Sequence, residues 1–194
     1  MSDDQMVSDF ENSFFTDIIL PIPRPTFRSV ALHTFAPNEL FGWRMVAQKI
    51  GGEVSTQLYK DSNTCATRVS YALNYAGSPI QKCSQVFLGA DGMNYIVGAL
   101  PMLTYLKQAY GTDTSNTIHL VNKPGQPLTQ QYIQSQIQNV QGIFVIIPQD
   151  ASRVTGFGAS GHVDILYTGL SFASAHNYTY CKGGVKEVYV FILN

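Results

Sequence analysis

The sequence predicts an α+β fold in which N-terminal helices pack on a C-terminal antiparallel sheet. Two observations carry that expectation. Apolar residues recur at helical spacing in several segments between residues 38 and 139, and beyond residue 142 the pattern changes to short β-branched and aromatic runs. Helices grouped ahead of strands favour segregated layers over alternating βαβ units. The length of 194 residues, 45% of them hydrophobic, is enough for one core of ordinary size.

The elements follow in chain order. Residues 1–21 read as a flexible acidic lead and residues 22–194 as one folded domain. The lead holds Asp3, Asp4, Asp9, Glu11 and Asp17 and no lysine or arginine. Prolines at 21, 23 and 25 then fix an extended linker, because each locks φ and removes a donor. Asn38 is the expected N-cap of a first clear helix, with Leu40, Trp43, Ala47 and Ile50 on its apolar face and Gly51-Gly52 as its stop. Residues 53–59 read as a short strand. The strongest helix starts after Asn63 or Thr64, carries Cys65, Val69, Ala72, Leu73 and Ala76 on one stripe, and ends at Gly77-Ser78-Pro79. Another spans residues 99–110, with Pro101 in its first turn and Gly111 behind it. A polar helix runs from Thr129 to about Asn139 with Tyr132, Ile133 and Ile137 inward. The segments 142–148, 161–168 and 186–193 read as strands, the first buried on both faces, with 149–160 as a Gly/Ser/Thr-rich loop.

Composition narrows the function classes. Only 13% of residues are charged and the formal net charge is −1, so the basic excess of a nucleic-acid binder is missing. Taking the five acids of the lead from thirteen leaves eight acids against twelve bases, a body charge of +4 that suits an anionic polymer such as a cell wall. Met1-Ser2-Asp3-Asp4 has the wrong sign for the start of a signal peptide. The longest apolar runs are about six residues, against about 20 for a membrane span. No Cys/His spacing suggests zinc, so no metal site is expected. Of three cysteines, Cys83 and Cys181 are a candidate disulfide pair, which would leave Cys65 as a thiol.

Cys65 stands in the first turn of the strongest helix. Unpaired N–H groups and the macrodipole there favour a thiolate and can bind an oxyanion; Asp61 nearby acts against the thiolate, and a free cysteine is otherwise a small buried hydrophobe. His162 opens a strand, and Asp164, two residues on, shares its face and can orient the imidazole. A cysteine at a helix start with a histidine far downstream on a strand is the papain-like arrangement. His176 is either a third orienting group or a solvated loop residue. His33 and His119 have no partner pattern and read as surface or satisfied residues, and the eleven tyrosines as half-buried strand residues or as walls of a glycan groove.

Several blocks together carry a resemblance to a known family. They are Val46-Ala47-Gln48-Lys49-Ile50-Gly51-Gly52-Glu53-Val54, the run from Asn63-Thr64-Cys65-Ala66-Thr67-Arg68 through Ser70, Ala72-Leu73-Asn74 to Gly77, Gly89-Ala90-Asp91-Gly92-Met93-Asn94-Tyr95, and Gly142-Ile143-Phe144-Val145 leading to Ser160-Gly161-His162-Val163-Asp164. In this order, over about residues 22–194, the chain resembles the type VI secretion amidase effectors of family four. The resemblance implies an NlpC-like, papain-related fold, no cofactor, and a cysteine amidase domain over residues 22–194. It implies cleavage of the amide between D-glutamate and meso-diaminopimelate in peptidoglycan stem peptides, with Cys65 as nucleophile and His162 as base. It also implies a toxin made in the cytoplasm without a signal peptide, delivered to the periplasm of a target cell, and matched by a cognate immunity protein. The family places an aspartate some eleven residues beyond the histidine, often between two cysteines. Residues 170–177 here hold no acid, so Asp164, Ser174 and His176 are all candidates for the third position. That gap supports an alternative: a catalytically impaired homologue that binds cell wall or an immunity protein.

Overall fold

A computed structural model describes residues 19–38, 42–113, 115–168, 170–171 and 180–194 of the chain. Its elements are α1 (Phe27–Asn38), α2 (Trp43–Ile50), α3 (Gly52–Lys60), α4 (Cys65–Tyr75), β1 (Phe87–Leu88), β2 (Asn94–Tyr95), α5 (Ala99–Tyr110), β3 (Thr117–Val121), α6 (Gln130–Ile137), β4 (Gln141–Pro148), β5 (His162–Tyr167), β6 (Leu170–Ser171) and β7 (Val185–Ile192). The expected α+β class holds. Five strands form one antiparallel sheet in the order β3-β7-β4-β5-β6, and β1 and β2 form a separate hairpin.

The sheet separates two apolar layers. On one face Ile143, Val145, Val163, Ile165 and Phe191 join Val69, Leu73, Met102 and Leu106 from α4 and α5. On the other, Phe144, Ile146, Leu166, Val188 and Val190 meet Ile133 and Ile137 of α6. Central strand β4 is therefore covered twice, which is why residues 143–148 are a nearly unbroken apolar run. Helix α6 lies between β3 and β4 in sequence, so the chain is not simply helices followed by strands. Within α6, Thr129 Oγ1 accepts the N–H of Tyr132 at 3.2 Å as an N-cap, and Ile133 and Ile137 are buried as expected, but Tyr132 is exposed rather than inward.

Other expectations are corrected. Residues 53–59 are not a strand but most of α3. Val54 and Leu58, four apart, face a small core with Val46, Ala47, Ile50 and Tyr95. Gly51 and Gly52, at φ 65° and 60°, do end α2 at Ile50 as expected, but a second helix follows at once. A Cβ on Gly52 would sit 2.5 Å from the Leu88 carbonyl oxygen, so the β1 loop requires glycine there on both counts. Asn38 closes α1 instead of capping the next helix. Helix α1 escaped periodicity because Val30 is its one fully buried described side chain; Leu40 lies outside the described residues. Cys83 and Cys181 form no disulfide. Cys83 packs against the α4/α5 layer and Cys181 is buried in the α6 layer, on opposite faces of the sheet.

The proline-rich segment is tied down by Arg24. Its guanidinium donates to the carbonyls of Tyr110 (3.0 Å), Ile192 (3.1 Å) and Asn116 and to Thr117 Oγ1 (2.9 Å), between the rings of Tyr110 and Phe191. One side chain thus joins the end of α5, β3 and β7. Upstream, Leu20 exchanges two hydrogen bonds with the Gln81 side chain. No helix among the described residues is long and apolar enough to cross a membrane.

Candidate active site

The approach to α4 is built from consecutive side-chain turns. Asp61 Oδ1 accepts the Asn63 N–H at 3.2 Å, and Asn63 Oδ1 accepts the Cys65 N–H at 3.1 Å. Thr64 occupies the N-cap position, but its hydroxyl makes no capping bond; it accepts from Arg68 Nε at 3.1 Å. Of the two cap residues the sequence offers, Asn63 performs the satisfaction. This holds Cys65, 4% exposed, at the head of a helix of which nine of eleven residues are buried.

Strand β5 brings the imidazole to it. His162 is its first residue, paired in register with Ile146, and Asp164 pairs with Phe144. Period-two alternation sends Val163 and Ile165 into the α4/α5 layer and leaves His162 and Asp164 together on the other parity. His162 Nε2 lies 3.2 Å from Asp164 Oδ2, and Asp164 Oδ1 accepts the Ile165 N–H at 2.7 Å. The Cys65 thiol is near enough to act on the imidazole and favour its protonated form. With Nε2 turned to the carboxylate, Nδ1 is the nitrogen left for sulfur. Burial opposes protonation of His162, but the bond to Asp164 and the nearby Cys65 outweigh it and raise its pKa to about 9.

Arg68, one turn beyond Cys65 on α4, is 6% exposed. Burial pulls its guanidinium below the usual arginine value, while the charges of Asp164 and Cys65 push the other way. A buried cation beside a buried carboxylate offsets the cost of keeping that carboxylate ionised. The sequence did not single out Arg68 as a site residue; its signal was the helical spacing of three from Cys65. Thr67, fully buried between them in sequence, has a hydroxyl with no hydrogen-bond partner among the described residues.

One cleft opens on His162 and a second adjoins it at Asn63 and Ala159. The first, of about 430 Å³, is walled by His162, Asn63, Phe157, Ala159, Tyr180 and Lys182. The other, about 730 Å³, shares Asn63 and Ala159 with it and adds Lys60, Asp61, Gly98 and Arg153. A third cleft of about 510 Å³, at His119, Val121, Leu128 and Tyr132, contains none of these residues. His119 itself is satisfied, 3.1 Å from Glu187 Oε2 and stacked on Tyr189. Asp164 stands against His162, and Ser174 and His176, the other two candidates for the third position, lie outside the described residues. Among the described residues no group of three or more His, Cys, Asp or Glu side chains is placed to hold a metal ion.

A layer of α-helices packed on an antiparallel sheet gives this chain an NlpC/P60-like fold. More narrowly, the chain belongs to the family of type VI secretion system amidase effector protein 4, whose profile matches residues 61–191. The effector Tae4 from Salmonella typhimurium, solved in complex with the immunity protein Tai4 from Enterobacter cloacae, superposes with a TM-score of 0.68 at 25% identity, over 88% of this chain and 100% of that one. The same effector in the Salmonella typhimurium Tae4–Tai4 complex gives 0.67 at 25% identity, over 89% and 100%. Tae4 from Enterobacter cloacae gives 0.68 at 21% identity, over 90% and 100%. A search of curated proteins returns no match.

Proposed function

We propose that this amidase effector is a cysteine hydrolase that cleaves the D-glutamyl–meso-diaminopimelate amide of peptidoglycan stem peptides. The observation that carries the reading is the buried His162–Asp164 pair at 3.2 Å, with the buried Cys65 thiol at the head of α4 acting on the same imidazole. His162 takes the thiol proton, and the Cys65 thiolate attacks the γ-glutamyl carbonyl. The tetrahedral oxyanion faces the first-turn N–H groups of α4. The Cys65 N–H is engaged by Asn63 Oδ1 at 3.1 Å, so the oxyanion replaces that acceptor as it forms. His162 returns its proton to the departing diaminopimelate amine. Water then hydrolyses the thioester, releasing the glutamyl carboxylate and the thiol. Asp164 holds Nε2–H and keeps Nδ1 toward sulfur throughout.

Membership of the type VI effector family supports export by that machinery into the periplasm of a target bacterium, where the cell wall is exposed. The Salmonella effector solved with Tai4 supports a cognate immunity protein for this chain as well. Digestion of purified sacculi followed by mass spectrometry of the muropeptides tests the reaction. Products shortened at the D-glutamyl bond by the native chain and not by Cys65→Ala are expected. Unchanged stems, or equal cleavage by the variant, refute it and favour a wall-binding or immunity-binding homologue without turnover.

A further inference from the structure

The 730 Å³ cleft that borders Asn63 carries two cations against one acid, Asp61. Lys60, the last residue of α3, and Arg153, on the 149–161 loop, both line it and are exposed. Neither takes part in an ion pair among the described residues, where the three pairs present are His119–Glu187, His162–Asp164 and Lys186–Glu187. The nearby acids are turned to their own backbone. Asp61 Oδ1 accepts from the Asn63 N–H, and Asp150 accepts from the Ser152 N–H, Ser152 Oγ and Thr155 Oγ1.

Those same bonds fix where Arg153 stands. Asp150 also accepts at its carbonyl from Phe157 N–H (2.9 Å), and Gly158 N–H reaches the Ser152 carbonyl (3.0 Å). A Cβ on Gly156 would lie 2.1 Å from the Asp150 carbonyl oxygen, so the loop closes tightly around its own carboxylate. Arg153 is thus presented by a tied loop rather than a loose one, on a cleft that shares Asn63 with the catalytic opening. Unpaired cations on a concave wall concentrate positive potential there.

We propose that Lys60 and Arg153 form a carboxylate-binding subsite for the free carboxylates that flank the scissile amide. This rests on the stem-peptide reading above. A γ-linked D-glutamate keeps its α-carboxylate, and diaminopimelate keeps a carboxylate on the far side of the same bond. An arginine fork and a lysine ammonium suit such a pair of anions.

The test compares a synthetic L-Ala-γ-D-Glu-diaminopimelate peptide with forms amidated at either carboxylate. The native chain is expected to favour the free acid by about tenfold in kcat/KM, the discrimination of a charge-assisted hydrogen bond. Arg153→Ala and Lys60→Ala each raise KM for the free acid and bring the acid-to-amide ratio at one carboxylate close to one, while Arg153→Lys retains part of it. Equal rates on acid and amide by the native chain, or ratios unchanged in both alanine variants, overturn the proposal. Calorimetric titration of the same peptides into Cys65→Ala separates it from the hydrolase reading. An acid preference lost on adding Arg153→Ala sustains the subsite even if the native chain hydrolyses neither peptide, and binding without preference overturns it.

Discussion

Asp164 Oδ2 lies 3.2 Å from His162 Nε2, two residues along the same strand, with His162 5% exposed and Asp164 fully buried. The carboxylate's other oxygen is occupied by the Ile165 N–H at 2.7 Å, so its orientation is set by backbone. The proposed mechanism takes Asp164 as the group that orients this imidazole. Asp164→Asn keeps the shape but turns an acceptor into a mixed donor and acceptor, and favours the wrong imidazole tautomer. We expect kcat on stem peptides to fall by about a hundredfold or more with KM changed little. Activity within a few-fold of native would place the third role elsewhere, and the muropeptide assay reads this directly.

The same geometry sets a pH dependence. The folded-state pKa of His162 is raised from 6.5 to about 9, so the folded chain holds this proton more tightly than the unfolded one. The stabilisation is complete below about pH 6.5 and is lost as pH rises through about 9. Urea midpoints measured from pH 5 to 10 should decline in that window, and the decline should shrink in His162→Gln. Because Asp164 and Cys65 both raise this pKa, NMR titration of the imidazole should show it lower in Asp164→Asn and in Cys65→Ala.

What could be read from sequence follows from how local each feature is. Strand β4 was legible because burial on both faces leaves residues 143–148 without polar alternation. Cys65 and His162 could be nominated as a candidate pair through motif blocks that need no long-range information. Helix α3 was misread because Val54 and Leu58 are its only buried apolar positions, and because it follows directly on the Gly-Gly pair that ends α2. Edge strand β3 went unread: its burial alternates along Thr117–Val121, with a histidine at its centre. Arg68 was missed because a charged residue on an amphipathic helix usually faces water, whereas here it is buried by tertiary packing. Lys60 and Arg153 meet on one cleft solely through the packing of a helix end against a distant loop.

Arg68 is expected to be coupled to Asp164. Arg68→Met removes a buried cation whose charge favours the ionised Asp164, which should cost about 3 kcal/mol of stability. Combining it with Asp164→Asn removes both charges, and the double variant should be more stable than the two single losses predict, by about 1 kcal/mol or more. Chemical denaturation of the four proteins measures the cycle. Strict additivity would show that Arg68 serves only to pack α4. Arg68→Lys retains the charge but not the Nε bond to Thr64 Oγ1, and should fall between native and Arg68→Met.

Thr67 gives a prediction of opposite sign. Its side chain is fully buried on α4 and its hydroxyl has no hydrogen-bond partner among the described residues. An unsatisfied buried hydroxyl costs about 1–3 kcal/mol relative to a satisfied one. Thr67→Val replaces it with a methyl of nearly the same volume and keeps β-branching, so helix propensity barely changes. We expect thermal stability to rise, with a ΔΔG of about 1 kcal/mol in the variant's favour. Thr67→Ala separates this from a packing effect. It also removes the hydroxyl but leaves the methyl's space empty, and should gain less than valine or lose stability outright. If both variants are destabilised alike, the hydroxyl has a partner in solution, such as a water bridging toward Cys65 or Arg68, and catalytic turnover should fall with it. If Thr67→Val is more stable and its kcat is unchanged, the hydroxyl is an uncompensated cost built into the helix that carries the nucleophile.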